Sequence, residues 1–209
     1  MLELTCSKFI DRLSSKEPVP GGGGASAYAG ALGMALGAMV GNLTLGKEKY
    51  AAVQYDIQEL TNRAQKLTGR FKTLVNQDAE AFLILSSAYR MPHAAEEEQH
   101  ARNDAIQQAL IAAAETPLEI AECCLEAIDL HEKYAKIGNT LAISDVGVGV
   151  ILCKAALQGA RLNVLINTKT MRDAEQKNRI ESRLNEIEKI GSEKADCVYR
   201  KVETMLKTQ

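Results

Sequence analysis

Four groups of residues in this 209-residue chain have types and spacings suited to chemistry. The first is Pro18-Val19-Pro20-Gly21-Gly22-Gly23-Gly24, which sits immediately ahead of a long uncharged run. Backbone N–H groups at a helix start attract a carboxylate or phosphate, so the segment reads either as an anion cradle or as a turn that lets helices approach closely. Glycine would free the backbone there for conformations other residues resist. It is not a Walker A loop, lacking the Gly-Lys-Ser/Thr ending, nor a dinucleotide fingerprint, since no strand precedes it. The second is Asp78, which falls on an apolar stripe. Lost hydration there raises a carboxyl pKa and suits it to proton transfer near neutral pH, whereas a buried cap or an ion pair is the structural alternative. Glu80 points elsewhere on the same helix, so no carboxylate pair forms. Asp145, third, stands at a helix start and reads as a cap before it reads as a catalyst. Asn163 and Asn167, fourth, are four residues apart on one helix face. Their amides suit the edge of a heterocycle or, alternatively, hydrogen bonds inside a bundle core.

Several chemistries have no residues to support them. No Ser-His-Asp order and no His-Glu-x-x-His appear, and His93, His100 and His131 lie in polar surroundings typical of surface histidines. The five cysteines include no Cys-x-x-Cys spacing and form no zinc constellation with the histidines, so no zinc site is expected. They read as reduced thiols of a cytoplasmic protein, and residues 1–8 carry no signal peptide. With 25 basic against 27 acidic residues, no basic excess asks for nucleic acid or an anionic membrane.

The elements that must position these groups read as helices. Alanine occurs 29 times, tryptophan is absent and aromatics make up only 4%, a composition that favours an all-α protein. Thr5 caps a short amphipathic helix ending near Ser14-Ser15. Residues 25–45 form an uncharged run in which Gly33, Gly37 and Gly41 recur every four residues. It is long enough to cross a membrane, but it is dominated by Ala and Gly and has no comparable second span, so a buried core helix is expected. Apolar residues at helical spacing carry one long helix from Glu48 to Arg90, stopped by Met91-Pro92. A helix over 96–114 follows, and Thr116-Pro117 reads as a fresh start for another reaching about Tyr134. Gly138-Asn139 stops that helix. A central buried helix then runs from Ser144 to Leu165, capped by Ser144 or Asp145. Residues 171–207, whose charges nearly cancel, form a solvated outer or dimer-packing helix. No repeat or linker divides residues 1–209, which read as one domain.

Taken in order, these segments resemble the cyclodeaminase/cyclohydrolase family. It includes the cyclodeaminase domain of formiminotransferase-cyclodeaminase and stand-alone methenyltetrahydrofolate cyclohydrolases. The resemblance rests on Pro18 to Gly23, Met39-Val40-Gly41, Leu74-Val75, Asp78-Ala79-Glu80-Ala81-Phe82, Gly138-Asn139, Ser144-Asp145 and Asn163 to Asn167. It implies a multihelical bundle around a long buried helix, a cytoplasmic homodimer, and a folate site near the interface. It places the catalytic aspartate on Asp78, and pocket residues on Pro20, Gly21, Gly22, Gly23, Gly24, Phe82, Asp145, Asn163 and Asn167. The implied reaction is cyclodeamination of 5-formiminotetrahydrofolate to the 5,10-methenyl form. The alternatives are hydrolysis of that methenyl form to 10-formyltetrahydrofolate, and folate binding without turnover. Two positions depart from the family. Gly24 stands where a serine commonly follows the third glycine, and Asn76-Gln77 stand where the bifunctional enzyme carries a second acid. Lys47 and Lys49, which might otherwise meet a folate tail, read as solvated surface residues.

Overall fold

The computed structural model describes residues 4–208, which form six α-helices and no strand. They are α1 (Cys6–Leu13), α2 (Gly22–Thr44), α3 (Gln54–Tyr89), α4 (Glu96–Ile137), α5 (Ile143–Thr168) and α6 (Ala174–Thr208). The all-α expectation holds. Thr5 caps α1 as expected, its hydroxyl oxygen accepting the Lys8 N–H at 3.3 Å.

The uncharged α2 is packed against α3, α4 and α5. Its glycines set how closely those neighbours come. A Cβ at Gly33 would stand 2.7 Å from the Gly149 carbonyl oxygen of α5, one at Gly30 would strike the Phe71 ring of α3, and one at Gly41 would overlap Thr61 Oγ1. Glycine costs up to about 1 kcal/mol in a helix interior relative to alanine. Here the return is close approach, with the Gly33 and Gly149 backbones meeting directly and Phe71 and Thr61 packing onto the bare helix at Gly30 and Gly41.

These contacts fix direction. Gly22 meets Asn163, Gly159 meets Ser26 and Gly33 meets Cys153, so α5 runs antiparallel to α2. Gly23 meets Asp78, Gly30 meets Phe71 and Gly41 meets Thr61, so α3 is antiparallel to it as well. The helices α3 and α5 therefore flank α2 in parallel, and both continue past its N-terminus. Beyond Asp78, α3 extends eleven residues to Tyr89, roughly 16 Å. Behind them α4 runs antiparallel to α5, with Ala113 beside Asn167 and His131 beside Gly149. The gap above the first turn of α2, walled by α3 and α5 and backed by α4, is where the candidate site lies.

Four expectations are corrected. Thr116-Pro117 starts no helix: α4 is continuous over 42 residues with Pro117 buried inside it. The expected caps Ser144 and Asp145 lie within the first turn of α5, and the capping falls to Asn139. Its side chain accepts the Leu141 N–H at 3.1 Å and closes a 3₁₀ turn over Thr140–Ala142. The long helix begins at Gln54 rather than Glu48, because Glu48–Val53 is a 3₁₀ turn broken at Tyr50, whose hydroxyl accepts the Thr140 N–H at 3.0 Å. His131 is fully buried, not a surface residue. Its ring fits between α2 and α5 only because positions 37 and 149 have no side chain. Its Nδ1 donates to the Ala127 carbonyl at 2.8 Å, and burial holds its pKa below the usual histidine value.

Both α2 and the Thr140–Thr168 segment are long and apolar enough to cross a membrane, so the expectation of a single such run is also corrected. Each turns its glycine-bearing side into the bundle.

Candidate active site

The first turn of α2 forms the floor of a cavity of about 460 Å³. One wall is α3, with Asp78, Phe82, Leu85 and Tyr89, and the other is α5, with Asn163, Ile166 and Asn167. Ala113 of α4 closes the back, while Pro18 and Lys169-Thr170 border the rim.

The four glycines are not there for unusual dihedral angles. None has a positive φ, and among the described residues only Gly46 does, at φ 71°. They are there for space, and unequally so. A Cβ at Gly23 would overlap the Asp78 carboxylate, and one at Gly22 would press to 3.2 Å from Asn163 Nδ2. At Gly24 it would meet Pro20 at an ordinary 3.5 Å, and at Gly21 it would meet nothing within 4 Å. The sequence therefore seats two polar side chains from different helices directly on the backbone of the third.

Asp78 is half-buried, and its carboxylate accepts the Gly24 N–H. Burial raises its carboxyl pKa above the ordinary value, and the Gly24 N–H pulls it back less strongly. Among the described residues no lysine or arginine pairs with it. The ion-pair alternative is thereby removed, leaving a carboxylate that opens on a cavity and holds its proton more tightly than an exposed aspartate.

The asparagines are fixed through their nitrogens. Asn163 Nδ2 donates to the Gly159 carbonyl at 2.8 Å. Asn167 Nδ2 donates to the Ala113 carbonyl at 2.6 Å and to the Asn163 carbonyl at 2.9 Å. With both N–H bonds of Asn167 committed, its oxygen remains as an acceptor, and Asn163 keeps its oxygen and one N–H. The partner on α4 is set by sequence. Ala113 lies four residues before Pro117, which has no N–H to complete the helical bond. The orphaned Ala113 carbonyl takes the Asn167 amide instead. Pro117→Ala supplies the missing N–H and removes a helix-interior proline worth up to about 3 kcal/mol. Thermal melts should show a higher Tm for this variant, while substrate KM rises as the helix competes for the Asn167 anchor.

Of the expected site residues, the fold brings Gly21, Gly22, Gly23, Asp78, Phe82, Asn163 and Asn167 to one cavity. Pro20 and Gly24 lie just behind its floor, both buried. Asp145 does not come to this cavity, a correction. It sits on α5 eighteen residues before Asn163, about 27 Å along the helix. Missed in the sequence were Leu85 and Tyr89, one and two helical steps beyond Phe82 on the same face, and the rim residues Lys169 and Thr170. Among the described residues no three His, Cys, Asp or Glu side chains converge as a metal site would require.

Comparison with known proteins gives this geometry a context. The formiminotransferase-cyclodeaminase family model matches residues 5–186. Methenyltetrahydrofolate cyclohydrolase of Methylorubrum extorquens is 40% identical over 201 residues, covering 96% of this chain and 95% of that protein. Formimidoyltransferase-cyclodeaminase of Rattus norvegicus is 29% identical over 187 residues, but the match spans only 35% of that longer enzyme. The crystal structure of formiminotetrahydrofolate cyclodeaminase from Thermotoga maritima superposes over 100% of this chain and 98% of that one, with TM-score 0.84 and 28% identity. With the family match running through every wall of the cavity, this chain belongs to the formiminotransferase-cyclodeaminase family.

Proposed function

We propose that this chain is an enzyme of folate one-carbon metabolism that acts on the carbon bridging N5 and N10 of tetrahydrofolate, with Asp78 as its acid/base. The observation that carries this reading is the half-buried, unpaired Asp78 carboxylate facing one cavity with Asn163 and Asn167. A carboxyl with a raised pKa can take a proton and return it within one turnover near neutral pH.

Hydrolysis is the first reading, supported by the 40% identity to a cyclohydrolase of nearly equal length. Water adds to the bridging carbon of 5,10-methenyltetrahydrofolate as Asp78 takes one of its protons. The C–N5 bond then breaks, Asp78 returns that proton to N5, and the adduct's hydroxyl becomes the formyl oxygen as its own proton passes to solvent. Cyclodeamination is the second reading, supported by the full-length superposition on a cyclodeaminase. There N10 attacks the carbon of the protonated formimino group (–CH=NH2+) while Asp78 takes the N10 proton. The same proton converts the –NH2 of the tetrahedral adduct into the ammonia that departs, leaving the methenyl cation. Both routes run on protons alone and call for no metal or redox cofactor. The acceptor oxygens of Asn163 and Asn167 suit the N–H edge of a pterin.

A homodimer fits the surface. Leu32, Met39 and Leu43 of α2 and Val148, Ile151, Leu162 and Ile166 of α5 are exposed, and this stripe carries no charge. A second copy would cover it, and because Ile166 also lines the cavity, the folate site would adjoin the interface. The five free cysteines, two of them exposed, suit a reducing compartment such as the cytoplasm.

The test is turnover. The methenyl compound absorbs in the near ultraviolet and the formimino and formyl compounds do not. Loss of that band from the methenyl substrate, beyond the uncatalysed rate, marks the hydrolase, and its growth from the formimino substrate marks the deaminase. No change with either contradicts the proposal and leaves a folate-binding dimer.

A further inference from the structure

The cavity carries one charge of each sign, and only the acid has been given a task. Among the described residues, the single charged one lining it besides Asp78 is Lys169, at the C-cap of α5. Six residues separate Lys169 from Asn163, about 9 Å along the helix axis. Because α5 runs out beyond the start of α2, Lys169 stands at the end of the trough opposite the glycine floor. Phe82, Leu85, Tyr89 and Ile166 line the stretch between, with no charge among them.

Lys169 is exposed, at the mouth of the cavity rather than within it. Its backbone is held in place, its N–H bonded to the Leu165 carbonyl at 3.1 Å. The turn that follows is fastened to α4, with Gln107 Nε2 donating to the Thr170 carbonyl at 3.2 Å and the Arg172 N–H donating to Gln107 Oε1 at 2.7 Å. Its ammonium has no carboxylate partner among the described residues, as is true of most lysines of the chain; what distinguishes it is its place on the cavity. The nearby Asp173 is occupied as the cap of α6, accepting the N–H groups of Glu175 and Gln176 at 3.0 Å.

We propose that Lys169 is the specificity residue for the glutamate moiety of the substrate, its ammonium pairing with the α-carboxylate at the mouth of the cavity. This rests on the folate reading above. Such a substrate is uncharged or cationic at the pterin and bridge and anionic only at its glutamate. An aromatic spacer of about 9 Å, by ordinary bond lengths, separates the bridge from that anion. The cavity presents the matching order of acid, apolar stretch, then cation. A unit charge held at the rim attracts and orients the anion, and it acts on binding rather than on the chemical step.

The experiment compares wild type, Lys169→Gln and Lys169→Arg on 5,10-methenyltetrahydrofolate and on the corresponding methenyltetrahydropteroate, which lacks glutamate. The expected result is a rise in KM of about tenfold for Lys169→Gln on the glutamate-bearing substrate, with kcat unchanged and most of the affinity kept in Lys169→Arg. On the glutamate-free substrate all three should agree. Equal KM values on the folate substrate overturn the proposal, and so does an equal loss on both substrates, since Lys169 would then act elsewhere. A wild-type protein inert on both, and inert on 5-formiminotetrahydrofolate as well, takes down the folate reading too. One active only on the formimino substrate moves the same comparison to that substrate and its glutamate-free counterpart, so the two failures are told apart.

Discussion

Asp78→Asn should lower kcat by about 10²–10⁴, the contribution of a positioned acid/base, while helix content stays unchanged. Asparagine keeps the shape of the side chain and an oxygen to accept the Gly24 N–H, but it cannot hold a transferable proton. Its stability should move the other way. Burial sets the folded-state pKa of Asp78 above the unfolded value, so the folded protein binds that proton more tightly. Stability therefore falls as pH rises between the two pKa values, and above both the buried charge is a standing cost. Removing the charge removes the cost. At neutral pH the Asp78→Asn melting temperature should equal or exceed that of wild type, as expected where an active site holds a group its surroundings disfavour. A loss of turnover accompanied by a lower Tm would point instead to a structural role.

Gly23→Ala should be nearly as damaging, although the residue has no functional group. The added methyl would overlap Asp78 Oδ1, with the carboxyl carbon at only 2.5 Å, so either the carboxylate swings away or α2 and α3 separate. Alanine gains about 1 kcal/mol in helix propensity, against roughly 1–3 kcal/mol for forcing a methyl into a packed contact. Net stability should thus change little or drop slightly. Activity should fall about 100-fold, the cost of misplacing a catalytic group by an ångström. Gly24→Ala, whose Cβ meets Pro20 at 3.5 Å and Asp78 Oδ2 at 3.7 Å, should lose far less. Paired kcat and Tm measurements on the two variants test whether the tetraglycine segment serves close approach, and equal activities would refute that account.

How far the sequence disclosed this arrangement depended on whether a signal was local. Asp78 on the apolar stripe of α3 and the four-residue spacing of Asn163 and Asn167 are helical periodicities, and each side chain lies where its spacing implied. The Gly33, Gly37 and Gly41 stripe likewise meant close packing. What stayed hidden was decided across elements. Pro117 looks like a helix start because its missing N–H is harmless there, yet packing within α4 overrides that preference and Asn167 answers the orphaned carbonyl. His131 looks exposed beside charged neighbours in sequence, but glycines on two other helices make room for its ring. Asp145 had helix-start chemistry in its favour, yet the length of α5 carries it to the other end of the molecule from Asn163. For the tetraglycine run the sequence left an anion cradle and a close approach of helices equally open, and the packing decides for the second. Flexibility is a local property of glycine, whereas space for Asp78 arises only once α3 has packed against α2.

The central claim is that the Asp78 carboxyl moves the protons at the one-carbon bridge, and the pH dependence of kcat/KM for wild type and Asp78→Asn tests it most directly. The account predicts that wild-type activity declines with acid along a single limb whose midpoint lies above the ordinary aspartate range, displaced upward by burial, and that this limb is absent from the residual Asp78→Asn activity. A wild-type profile that is flat through that range, or a variant that keeps the same limb, would contradict it.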